Sequence, residues 1–389
     1  MFSVGIANAS PLPFLHAQGT QIVDPVGHPV ILRGINLGGW LVEEPWMEPF
    51  VTTPPSGSDL QTVRDHVSLW KVVGKRFGTA GMLKARTQFR DAWLNESDFD
   101  RIHAAGLNCV RLPFLASLAG EPDGMAWLDK AIAWAGARGI YVVLDLHGVP
   151  GGQSDQDHTG QAGVNAFFKT PADITATEAL WTRIAKRYAG NPVVAGYDIV
   201  NEPTGTPNSD TLYVVEDHLY QAVRAGDPKH LVFIEDGYTG VPWMPYPVPI
   251  GWTNVVYSWH SYQFDAKSPQ DHLDTIQKDL AQIAKMQKTR QVPFYIGEFG
   301  LEPNATAQTV GTVINDFDAQ GVSWSLWTYK AIFGGNQNLW ALYENSQPLT
   351  PLDPYRDTPA QWQQKCAQVR TENLTENSGM AQAFQQSVP

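Results

Sequence analysis

The chain has 389 residues, of which 43% are hydrophobic and 17% charged, with 14 Trp and a formal net charge of -12. So acidic a balance excludes nucleic acid and anionic membrane surfaces as partners, because both select basic patches, and no apolar run of about 18 residues or more is present to span a bilayer. The opening stretch through Thr20 lacks a basic segment followed by a clean apolar core, so it does not read as a signal peptide.

Eight short runs rich in β-branched and aromatic residues follow in order: VILRGINL from Val30, CVRLPF from Cys109, YVVLDLHG from Tyr141, VVAGYDIVNEP from Val193, HLVFIEDG from His230, NVVYSWHSY from Asn254, VPFYIGEFG from Val292 and GVSWSLWTYK from Gly321. Each has strand length. Helical spacing fills the gaps at 97–105, 127–138, 174–189, 211–225, 272–288 and 310–319, with Ser97 or Asp98 placed to cap the first. Gly106, Gly139, Gly190, Gly226 and Gly321 each stand between a helical run and the next strand, where glycine accepts a left-handed conformation at least cost. Strands alternating with helices predict an α/β fold, a closed (β/α)8 TIM barrel in one domain over 1–389. Residues 59–95 read as a helical insertion between strands one and two, and the proline-rich VPWMPYPVP from Val241 as a loop. Cys109 lies in a predicted buried strand and reads as a core residue rather than half of a disulfide with Cys366.

In such a barrel the C-terminal strand ends form the active face, and polar residues collect there: Arg111, Asp145 and His147, Asn201 and Glu202, His260 and Tyr262, Glu298, and Trp327. An ionised carboxylate does not enter an apolar core without a partner or a task, yet Glu298 closes the seventh run between glycines. Glu202 and Glu298 are the leading pair for acetal hydrolysis, one carboxyl protonating the departing oxygen and the other attacking the anomeric carbon. Carboxyls about 5 Å apart give retention and those about 6.5 to 9.5 Å apart give inversion. Asp145, Glu235, Asp236 and Glu302 are expected behind the site or on the surface. The ten histidines show no metal-ligand spacing, and no glycine-rich phosphate loop precedes a helix, so neither a metal nor a cofactor is expected.

LNCVRLP, DLHG, NEP, HSY, GEFG and WSLWTYK together resemble family 5 glycoside hydrolases in order and spacing. RGINLGGWLVEEPW and DLHGVPGGQ are similar to the exo-β-1,3-glucanase branch. The resemblance implies Glu202 as acid/base, Glu298 as nucleophile and a retaining outcome. On this reading Glu202 holds its proton with a raised pKa, Arg111 keeps Glu298 charged, and Asn201 meets the sugar 2-hydroxyl. Tyr262 holds Glu298, while His260, His147, Glu44, Trp40 and Trp327 line the sugar site, with Glu43 competing for the role of Glu44. The chain departs from the branch at Ser154, where asparagine is favoured, at Leu301 after GEFG, and in NQNLWALYE after the last strand. The expected activity is that of a secreted or periplasmic monomer releasing glucose from β-glucan ends or oligosaccharides. Endo-acting β-1,4- or β-1,6-glucan hydrolysis, or carbohydrate binding without catalysis, are the alternatives.

Overall fold

The computed structural model describes residues 11–237, 240–332 and 339–386. The first half of the opening stretch and the NQN of NQNLWALYE lie outside them.

Eight parallel strands close into a barrel: β1 (Arg33–Asn36), β2 (Cys109–Leu115), β3 (Tyr141–Gly148), β4 (Val194–Asp198), β5 (Leu231–Glu235), β6 (Val255–Tyr262), β7 (Phe294–Gly300) and β8 (Ser323–Leu326), with β8 paired to β1. Every predicted run contributes its strand, although β1, β4, β5 and β8 are much shorter than their runs and β6 and β7 slightly shorter. Helices α1 (His66–Trp93), α2 (Glu96–Ala104), α3 (Gly124–Gly136), α4 (Pro171–Tyr188), α5 (Ser209–Gly226), α6 (Pro269–Arg290) and α7 (Ala307–Ala319) precede α8 (Pro359–Cys366) and α9 (Ser378–Gln386). Between β1 and β2 lies α1, bent at Gly78 with φ 69°. Among the described residues no α-helix joins β5 to β6, where 3-10 turns at Val241–Trp243 and Val248–Ile250 accommodate the prolines.

Local chemistry departs from expectation at two kinds of position. The cap of α2 is Asn95, not Ser97 or Asp98: its side chain accepts from Ser97 N while Asp98 accepts from Asn95 N at 2.7 Å, which satisfies the otherwise orphaned donors reciprocally. Of the five glycine stops, Gly106, Gly139 and Gly321 adopt positive φ, whereas Gly190 and Gly226 do not. Cys109 and Cys366 are buried free thiols.

Side chains alternate along a strand with a period of two, and this sorts the barrel interior by height. Low in the barrel, Cys109, Tyr141, Val143, Leu231, Phe233 and Val256 share one apolar cluster with Leu15 and Ile22 of the N-terminal hairpin His16–Gln18 and Gln21–Val23. The same parity two to four residues further on gives Arg111, Asp145, His147, Glu235 and His260. One alternating pattern therefore plugs the bottom with hydrocarbon and leaves the charges at the top. Among the described residues, no helix is long and apolar enough to cross a membrane.

Candidate active site

A cavity of about 560 Å³ opens at that upper end, lined by Glu44, Trp46, His147, Gln156, Asp157, His158, Glu202, Thr204, Tyr262, Phe264, Glu298, Trp327 and Trp340. Of the side chains singled out from sequence, Glu44, His147, Glu202, Tyr262, Glu298 and Trp327 reach it. His260 lies against Glu202 and Glu298, at 2.8 Å and 3.7 Å from their carboxylate oxygens. Arg111 and Asn201 are fully buried beside these carboxylates, with Arg111 bonded to both Glu298 and Asn201.

Trp40 is a correction. It is 0% exposed, its Nε1 donates to Arg90 O at 3.0 Å, and its ring packs on Trp127 and Trp134. The cavity tryptophan of that segment is Trp46, whose Nε1 donates to Glu44 Oε2 at 2.8 Å. Glu43 points the other way, into a buried pair with His66.

Glu298 ends β7 with both oxygens held: Arg111 Nη1 donates to Oε1 at 2.7 Å, and the Tyr262 hydroxyl donates to Oε2 at 2.7 Å. Glu202 lies four residues beyond β4, not on it, and has φ 41°. Left-handed backbone is costly for a residue with a Cβ, so surrounding contacts must impose it. One of them is Glu235, whose Oε2 accepts from Glu202 N at 2.7 Å. Glu235 is buried, also meets Arg111 and His260, and thereby ties three strands together beneath the cavity. Asp145, also buried, accepts from His147 Nδ1 at 2.6 Å. Asp236 is buried and accepts from Gly240 N, while Glu302 accepts from Leu339 N.

Burial and charge set the protonation states. Burial pushes the Glu44 carboxyl up to about 8, with Asp157, Glu298 and Glu202 adding repulsion against the opposing Trp46 hydrogen bond. Burial pushes the His147 imidazole down to about 3, with Arg111 adding to the effect and Glu298 opposing it. His147 is thus neutral, its Nδ1–H on Asp145 and its Nε2 an acceptor. For His260, burial acts downward, but the charges of Glu235 and Glu298 prevail and hold it well above the usual histidine range.

Aromatic rings shape the rest. His147 stacks over Trp327 at 5.6 Å and 13°, and the peptide after Trp327 is cis. Phe264 stacks on Tyr262 at 5.2 Å and 11° and faces Trp340 at 6.1 Å and 28°, while Trp46 meets Trp340 edge-on. Ser154 is buried behind the loop rather than lining the cavity. Glu202, His260 and Glu298 bring ligand-type atoms within 4.8 Å of one another, close enough to surround a cation. Here His260 Nδ1 meets Glu202 Oε1, while Arg111 and Tyr262 bond the two oxygens of Glu298.

Sequence reasoning passed over Trp46, Asp157, His158, Phe264 and Trp340. All lie on loops beyond strand ends, where no periodicity marks them. Only the concentration of aromatic residues around PWMEPF and NLWALYE offered a signal.

The profile described as cellulase (glycosyl hydrolase family 5) matches residues 71–332. The probable glucan 1,3-beta-glucosidase A of Aspergillus niger is 34% identical over 287 residues, covering 69% of this chain and 65% of that protein. The chain thus spans just under two thirds of that relative's length. A beta-xylosidase of Phanerodontia chrysosporium is 29% identical over 354 residues, 82% of this chain and 71% of that protein. Among solved structures, rutinosidase from Aspergillus niger shares the fold, with a TM-score of 0.62 at 18% identity over 80% of this chain and 92% of that one.

Proposed function

Because this chain belongs to glycosyl hydrolase family 5, we infer that it hydrolyses β-glucosidic bonds with retention, releasing glucose from the ends of β-1,3-glucan or its oligosaccharides. The observation that carries this reading is the approach of Glu202 and Glu298: one carboxylate oxygen of each lies within 4.8 Å of the other. That approach supports retention, whose carboxyls stand about 5 to 5.5 Å apart, over inversion, whose carboxyls stand about 6.5 to 9.5 Å apart. The name of the Aspergillus niger relative supports the linkage.

In the first step Glu298 Oε attacks the anomeric carbon as the bond to the departing oxygen breaks, and that oxygen takes the proton of Glu202. The covalent glycosyl ester removes the charge of Glu298, and Glu202 is left as carboxylate. In the second step Glu202 takes a proton from water, the water oxygen bonds to the anomeric carbon, and Glu298 departs ionised. Arg111 on Oε1 and Tyr262 on Oε2 favour the charged form of Glu298, before it attacks and after it departs. Asn201 Nδ2, buried without a hydrogen bond of its own, supplies a donor for the 2-hydroxyl. Protonated Glu44 supplies another, neutral His147 an acceptor, and Trp327 the floor on which the sugar face rests.

Polymeric β-glucan lies outside most cytoplasms, which supports action as a secreted protein, and a monomer is in keeping with a cavity lined by residues of one chain. The test is an aryl β-glucoside, with an aryl β-xyloside and linkage-isomeric disaccharides beside it. Wild type releases the aryl group, Glu298→Ala is slower by about three powers of ten or more, and azide restores the variant with an α-glucosyl azide product. Equal rates for the two proteins would remove the reading, and early long products from laminari-oligosaccharides would replace end-release with internal cleavage.

A further inference from the structure

The loop after β3 carries a histidine with no part in the steps above. His158 lies in the turn Asp157–Thr159, which Gly160 closes with φ 86° and a bond from its N–H to Asp157 O at 2.9 Å. Its ring meets His147 edge-on at 5.7 Å and 71°. Its Nε2 is buried, makes no hydrogen bond, and faces Glu202 Oε2 at 3.4 Å.

The opposite oxygen of Glu202 is already assigned. His260 Nδ1 stands 2.8 Å from Oε1, and an imidazolium has only hydrogens to offer, so Oε1 accepts in both protonation states. The proton that is given and retaken then resides on Oε2, the oxygen beside His158. Other groups facing this carboxyl are Glu298 from β7 and, across the cavity, Glu44 and His147, while Glu235 of β5 holds its backbone.

We propose that His158 is a positioning residue for Glu202, donating from Nε2–H to Oε2 whenever that oxygen has lost its proton. This deepens the acid/base reading of Glu202 and rests on it. In the first step, the proton on Oε2 passes to the departing oxygen as the glycosidic bond breaks. The Nε2–H of His158 then turns onto the new carboxylate and stabilises the product side of the transfer. In the second step Oε2 takes a proton from water and His158 releases it. Donation to the charged form alone strengthens Glu202 as an acid when the departing group most needs one. With His260 fixed on one oxygen and His158 on the other, the carboxyl plane is also held toward the departing oxygen.

The experiment compares wild type, His158→Ala and His158→Gln on aryl β-glucosides whose leaving groups range from dinitrophenol to phenol. The expected result is a loss of about tenfold or more in kcat/KM on phenyl glucoside for His158→Ala, with little loss on the dinitrophenyl substrate, which needs no acid. Without the donor the carboxylate is less favoured, so the alkaline limb of the pH profile moves upward. His158→Gln, which keeps an N–H at similar reach, restores part of both. A uniform loss across leaving groups, an unmoved alkaline limb, or a wild-type-like His158→Ala overturns the proposal. Should His158→Ala fail to fold, His158→Gln and His158→Phe carry the same comparison. Failure of the underlying reading looks different, since wild type itself would then leave every aryl β-glucoside intact.

Discussion

Arg111 Nη1 donates to Glu298 Oε1 at 2.7 Å, joining the second strand of the barrel to the seventh. The same guanidinium meets Asp145 at 3.1 Å, Asp198 at 2.9 Å and Glu235 at 3.2 Å. One buried cation is thus shared by four acids around the barrel axis, which raises its pKa well above the ordinary range despite burial. Arg111→Met strands those acids, and the expected cost is about 3–5 kcal/mol in urea unfolding. Arg111→Lys recovers little, because a single ammonium cannot span a fork of partners. Unchanged unfolding midpoints in both variants would contradict this.

Tyr262→Phe removes one hydrogen bond to Glu298 Oε2 and keeps the ring that stacks on Phe264. Aryl β-glucoside kcat/KM falls by about 10- to 100-fold, the worth of a hydrogen bond to a charged group. Thermal unfolding changes little. A drop in melting temperature without a drop in turnover would show the hydroxyl to be structural.

Glu44 predicts a pH effect of definite sign. Its carboxyl titrates at about 8 when folded, against 4.5 as the reference value. Between those values the unfolded chain has released the proton and the folded chain keeps it, so stability falls as pH rises, by at most about 1.4 kcal/mol per pH unit. Below and above the window the contribution is flat. Glu44→Gln cannot titrate, so its stability advantage over wild type grows from pH 5 to pH 8. A constant difference in unfolding free energy across that range would refute the assignment.

Trp40 and Trp340 separate packing from recognition. Trp40→Ala opens a void among Trp127, Trp134 and Arg90 and costs about 3–5 kcal/mol of stability. Trp340→Ala removes a ring at the cavity rim, stacked near Phe264, and raises KM for oligosaccharides more than for an aryl glucoside while leaving unfolding nearly unchanged. Calorimetry beside steady-state kinetics distinguishes the two.

Barrel order was legible because each strand is a compact β-branched run and each is followed by helical spacing or a proline-rich break. His260 and Tyr262 share one strand face through their spacing of two, whereas Glu298 was reached by motif, since it stands three residues beyond inward-facing Tyr295, past a register shift in β7 that parity does not announce. Glu202 was reached by motif rather than by parity, since it stands past the strand in a conformation no pattern announces. Parity also fails in GGWLVEEPW, an irregular stretch: Trp40 turns inward and Trp46 outward, and nothing in the residue types tells which of Glu43 and Glu44 enters the cavity. His158, Phe264 and Trp340 depend on how loops from different strands meet, information spread over the whole chain rather than held in any window.

The hairpin His16–Val23 seals the barrel at the end remote from the carboxylates, where Ala17 N donates to the Asn254 side chain at 2.7 Å, just ahead of β6. A tether attached at that pole would therefore hold the enzyme with its opening directed away from the anchoring surface. Immobilisation through the hairpin should preserve access for long substrates, whereas coupling at the rim beside Trp46 and Trp340 would obstruct them.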